Sequence, residues 1–161
     1  MHDRPCTKAI RVLAIPGLAA VFAISTLAAF KNMAIVAAAS SKLSDVPLAD
    51  LVKYCKGASR TWPDGKNFTI VIKNPEAPEM HGVLPKLFGG TPAEAKAVIS
   101  KLNEARVVVR IVESDEELLK TVEAKPGAIG VVDVYAINSA VKVLRVDGKL
   151  PFDVGYALKG N

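Results

Sequence analysis

The chain has 161 residues, half of them hydrophobic and 23% charged, which suits one domain with a real core and argues against disorder. Its net charge of +5 comes from Lys and Arg residues scattered among acids, with no basic run, so charge gives no case for nucleic-acid binding. The two cysteines, Cys6 and Cys55, exclude a disulfide scaffold.

Arg4, Lys8 and Arg11 precede the uncharged run Val12–Phe30. A cationic stretch followed by an apolar one is what a translocation machine reads as an export signal. Small side chains at Thr26 and Ala28 suit cleavage just after Ala28. The competing reading is an uncleaved anchor, because the run has about the ~20 residues of a membrane span, although Pro16–Gly17 interrupts it. Cys6 lacks the apolar residues that would precede a lipidated cysteine. The expected division is therefore residues 1–28 as signal peptide or anchor and 29–161 as the domain. The protein is expected to be exported, to the periplasm or cell envelope, and to touch membrane only through the N-terminal segment if that is uncleaved. Loss of Arg4, Lys8, Arg11 and Asp3 with the signal leaves the domain only mildly basic.

Met33–Ala38 is an apolar run of strand length. Leu48, Leu51, Val52 and Cys55 recur at the spacing of an amphipathic helix over Pro47–Cys55, stopped by Gly57. Cys55 then falls on the apolar face, as a small buried hydrophobe. Pro63–Asp64–Gly65 is a turn signal leading into the β-branched strand Phe68–Ile72. Met80, Val83, Leu84, Leu87 and Phe88 form a second helical stripe closed by Gly89–Gly90. Thr91 and Glu94 form a capping box with proline at the first helical position, opening a helix that faces Ala95, Val98, Ile99 and Leu102 inward. Val107–Val112 reads as a strand. Ser114 and Glu117 form another capping box, before a helix using Leu118, Leu119 and Val122. Strands follow at Ala128–Val132 and Val141–Val146, the latter turned by Asp147–Gly148. The order β-α-β-α-α-β-α-β-β predicts an α/β lobe: a mixed, mostly parallel sheet flanked by helices.

Catalytic machinery is hard to find. The only histidines are His2 and His81, which excludes a multi-histidine metal site and leaves one imidazole base in the domain. Glycines 89, 90, 127 and 130 match neither a P-loop nor a dinucleotide fingerprint. Glu116 and Glu117 sit where acids complement a helix dipole. No cofactor is implied, and no enzyme is expected.

Several phrases, in order, carry a family likeness. They are Leu43–Ser44 through Leu51 with Lys56–Gly57; Thr61–Trp62–Pro63–Asp64–Gly65; the strand ending Val71–Ile72–Lys73; Ser114–Asp115–Glu116–Glu117 through Pro126–Gly127–Ala128–Ile129–Gly130; and Val141 through Gly148. Together the set resembles the periplasmic phosphate-type solute-binding proteins of ABC transporters, over about residues 33–150. The resemblance implies a type II periplasmic-binding-protein-like fold. Full members have two lobes that close on an anion, and this chain looks like a short, single-lobe relative.

The resemblance also implies where an oxyanion such as phosphate would sit. Lys73 would supply the cation, Asn74 the start of the ligand loop, and the stretch Ala77 to Met80, including Glu79, the N–H groups of a helix start. The loop departs from the family pattern. Pro78 has no N–H, no hydroxyl is present, and Glu76 and Glu79 would repel a phosphate at close range. Val131, not tyrosine, follows Gly130. A structural corner without ligand is the alternative, leaving an interaction module of the cell envelope whose partner is an ABC transporter or another envelope protein. Trp62 has two readings as well: packing that fixes its loop, or stacking on a ligand.

Overall fold

The computed structural model describes residues 31–159. The signal-or-anchor expectation for residues 1–28 lies outside them. Five strands form one sheet in the order β4–β3–β5–β1–β6, from β1 (Met33–Ala38), β3 (Thr69–Lys73), β4 (Val109–Val112), β5 (Ala128–Asp133) and β6 (Val141–Val143). β3 runs parallel to both β4 and β5, whereas β1 is antiparallel to β5 and to β6. Four strands thus point one way and β1 the other.

All residues of β1 are buried, because the sheet is covered on both faces. Side chains alternate across a strand. Met33, Ile35 and Ala37 join Ile70, Ile72, Ile129 and Val131 against α1 (Leu48–Cys55), α3 (Leu84–Phe88) and α4 (Pro92–Ala105). Ala34, Val36, Val71 and Val132 face α5 (Asp115–Ala124) through Leu118, Leu119 and Val122. Gly130 makes this second interface possible: a Cβ there would stand 2.5 Å from Leu118 Cδ2 and 2.9 Å from Val122 Cγ2.

The structure corrects several sequence expectations. The stripe Met80–Phe88 is two short helices, α2 (Pro78–His81) and α3. Pro85 lacks an N–H and fits only a helix's first turn, so the chain restarts there. Val141–Val146 divides because it changes partner. β6 pairs with β1, the Leu144 N–H donates to the Ile35 carbonyl, and β7 (Arg145–Val146) pairs in parallel with β2 (Asp45–Val46) in a separate two-stranded sheet. β4 starts at Val109, as Val107 is exposed. Both N-caps are present. Thr91 and Glu94 exchange both bonds of a capping box, while Ser114 Oγ accepts from Glu117 N and the Glu117 carboxylate takes the Glu113 N–H.

Cys55 is fully buried, and burial pushes its thiol up. Trp62 is also buried, its indole N–H donating to the Gly127 carbonyl at 2.8 Å and its ring packed near Tyr54 and Phe68. The chain at Gly127 takes φ +83° and lies tight against the preceding loop, where a Cβ would stand 2.5 Å from the Asn67 carbonyl oxygen, so the turn requires glycine. Packing is therefore the role the structure gives Trp62.

Candidate functional site

Parallel strands end side by side, and the loops beyond their carboxyl ends are where open α/β sheets usually place ligands. Lys73 is the last residue of β3 and, with Thr69, one of two buried polar side chains among the described residues. Its ammonium lies 2.6 Å from Glu79 Oε1 and 2.9 Å from Asp115 Oδ1. Glu79 belongs to α2, and Asp115 is the first residue of α5. Lys31 extends the group, 3.9 Å from Glu79 and 3.7 Å from Asp133 at the end of β5. Two ammonium groups thus face three carboxylates, and the cluster carries an excess negative charge.

Burial alone would depress the Lys73 pKa, but the hydrogen bonds and charges of Glu79 and Asp115 hold it above the ordinary lysine value. Burial likewise opposes ionisation of Glu79. Hydrogen bonds from Lys73 and from its own backbone N–H, with the charges of Lys73 and Lys31, nevertheless keep it below the ordinary carboxylate range. Both groups are therefore charged at neutral pH and mutually satisfied.

The expected N–H donors are engaged too. The Ala77 N–H donates to the Asn74 carbonyl at 2.8 Å and the Met80 N–H to the Ala77 carbonyl at 2.9 Å. The Asn74 side chain accepts the Glu76 N–H at 3.0 Å, an Asx turn that closes the loop on itself. The Met80 side chain lies in the larger core. Of the predicted site residues, the structure brings Lys73 and Glu79 into contact, while Asn74, Ala77 and Met80 spend their polar groups on the loop. Glu79, read from sequence as repelling a phosphate, is the ammonium's nearest partner.

Sequence reasoning did not assign Asp115, Lys31 or Asp133 to this cluster. A signal for Asp115 existed: Lys73 and Val112 are register partners at the ends of β3 and β4, and Asp115 follows Val112 by three residues. Finding it requires knowing that those strands are neighbours.

The sheet, with its one reversed strand and its flanking helices, forms a small α/β lobe with a periplasmic-binding-protein-like fold. Solved structures share that fold. The chain matches an ABC-type phosphate transport receptor from Vibrio cholerae with a TM-score of 0.57 and 14% identity, covering 81% of this chain and 54% of that one. It matches PstS from Borrelia burgdorferi with a TM-score of 0.62 and 17% identity, covering 82% and 55%. No family model and no curated protein matches it by sequence. The chain therefore shares the fold of phosphate-type ABC-transporter binding proteins at distant structural homology, and spans about half the length of these structures. Among the described residues, no three His, Cys, Asp or Glu side chains gather to hold a metal, and no helix is long and apolar enough to cross a membrane.

Proposed function

We propose that the chain is an exported lobe of the solute-binding type that serves a transport system by protein contact in the cell envelope, its own anion seat being closed. The observation that carries this is the occupancy of Lys73 by Glu79 and Asp115. A phosphate held there would meet two carboxylates already bonded to the only buried ammonium among the described residues, and like charges at that range repel strongly. Export rests on Arg4, Lys8, Arg11 and the run Val12–Phe30, with residues 1–28 as the signal and the domain from 29 onward. The exposed Tyr135 and Phe152, whose ring centroids are 6.4 Å apart, with Val154 almost fully exposed, offer an apolar surface for an envelope partner such as an ABC transporter component.

A second reading is weak binding of a small oxyanion at Lys73, with Asn74, Ala77, Glu79 and Met80 as the surrounding loop. It is favoured by the position of that lysine at the carboxyl end of a central parallel strand, beside the start of α5. One lobe cannot enclose a ligand, so tight binding would need a second lobe. Isothermal titration with phosphate and sulfate separates the two. The first reading expects a flat trace for the natural protein. Heat from the natural protein that disappears in Lys73→Ala would replace the first reading with the second.

A further inference from the structure

At the opposite end of β3 from Lys73, a groove of about 340 Å³ opens between the end of α1, the loop that follows it and one face of α4. Its lining divides by chemistry. Val98, Leu102 and Ala105 form an apolar floor, and the first two also pack on the larger core. Lys56, Arg60 and Lys101 stand around that floor, all three exposed, and no acid joins the lining.

The missing acid is particular to this place. On the same two helices, Lys53 pairs with Asp50 and Lys96 with Glu76. Lys56, Arg60 and Lys101 belong to no ion pair among the described residues. Nearby acids in the sequence are engaged elsewhere. Asp64 pairs with Lys66, Glu94 accepts from the Thr91 N–H at the start of α4, and Glu104 lines a separate groove with Glu113. Cations gathered around a cleft with an apolar wall focus a positive potential into it, and an anion bound there relieves their mutual repulsion.

The frame of the groove is tied down. The Phe68 N–H donates to the Arg60 carbonyl at 2.9 Å. Arg106 Nη2 donates to that same carbonyl at 2.9 Å and to the Phe68 carbonyl at 3.2 Å. The Arg60 backbone is thus fastened to the start of β3. Its guanidinium, a planar fork that matches a carboxylate, stays exposed.

We propose that this groove binds a small organic carboxylate with an apolar body. The body lies on Val98, Leu102 and Ala105, and the carboxylate is held among Lys56, Arg60 and Lys101. Small-molecule sites occupy about 300–1,000 Å³, and a groove at the lower end of that range suits a small molecule rather than a segment of a partner protein. It shares no residue with the Lys73 cluster, so it does not depend on what that cluster binds.

Octanoate is the probe, followed by NMR and isothermal titration of the natural protein. Saturable shifts at Val98, Leu102 and Ala105 are expected, with a Kd below about 1 mM. Acetate has the charge without the chain, and octylammonium the chain without the negative charge; each should bind at least about tenfold more weakly. Lys101→Glu, a change at an exposed side chain, should weaken octanoate by at least about tenfold as well. Octanoate that shifts none of the three floor residues overturns the proposal. So does equal binding of octylammonium, which would leave the cations no part, or of acetate, which would leave the floor none. Octanoate binding that Lys101→Glu leaves unchanged places the site elsewhere and refutes it too. Should that variant not fold, the double change Lys56→Gln and Arg60→Gln decides by the same criterion.

Discussion

Replacing Lys73 by alanine removes the one cation that touches both Glu79 and Asp115. Breaking a buried ion pair from one side typically costs about 3–5 kcal/mol, because a desolvated charge is left unpaired. Two features reduce that figure here. Asp115 is 31% exposed at its side chain and regains water, and Glu79 retains Lys31 at 3.9 Å. A loss of roughly 2–3 kcal/mol in denaturant unfolding near neutral pH is therefore expected. The pH dependence gives a second handle. Glu79 is held below its ordinary value in the folded state, so its contribution is full above the unfolded carboxylate pKa and is lost as pH falls through the folded one. Lys73 is held above its ordinary value, so its contribution is full below the unfolded lysine pKa and is lost as pH rises through the folded one. The stability gap between the natural protein and Lys73→Ala should form a plateau from about pH 5 to about pH 10 and narrow on either side. A gap under about 1 kcal/mol on the plateau, or one that does not narrow in acid, would refute the pairing as a source of stability.

Trp62→Phe should cost about 1–2 kcal/mol, chiefly because the Gly127 carbonyl loses its donor, as read by circular dichroism during denaturation; Gly127→Ala should cost at least as much, since its φ is +83° and the Asn67 carbonyl lies 2.5 Å from the new Cβ. A neutral result for both would show that the Pro126–Gly127 turn is not anchored by the indole. Cys55 should be inert to thiol reagents in the folded protein, since burial both hides it and pushes its thiol up. In a Cys6→Ser background its labelling rate should follow global unfolding, and fast labelling under native conditions would contradict the burial.

The parts of the fold that were legible in the sequence are local ones. Thr91 with Glu94 and Ser114 with Glu117 mark helix starts because a cap is made within a few residues. The stripe Leu118, Leu119 and Val122 declares its face for the same reason. What was not legible depends on distant chain. The reversal of β1 is set by its pairing with β5 and β6, about a hundred residues later, and the break at Leu144 by a change of partner from β1 to β2. The break before α3 was written in Pro85, but a continuous apolar stripe outweighed it. At the candidate site, Lys73 could be singled out from its place at a strand end, and Glu79 from its charge. From the sequence the charge of Glu79 reads as repulsion toward a phosphate; its pairing with Lys73 is not legible there, because it depends on how α2 folds back on the end of β3, and Asp115, the third member, arrives from another strand's end.

The same cluster bears on affinity. Glu79 is tethered six residues from Lys73 and Asp115 is fixed on a helix, so neither must be brought from solution to reach the ammonium. Groups joined by short linkers act at effective concentrations of about millimolar or more, and here they are held at 2.6 and 2.9 Å. Free phosphate at lower concentration must displace ligands that are effectively more concentrated and already bonded. It must also enter a site where carboxylates outnumber ammonium groups. Neutralising Glu79 removes one competitor and cancels the excess negative charge of the cluster, so Glu79→Gln is the substitution most favourable to an anion. If the seat retains any capacity for phosphate, titration of that variant should reveal it where the natural protein stays silent. Silence in both would mean that closure lies in the loop itself, where Pro78 has no N–H and those of Ala77 and Met80 are already spent.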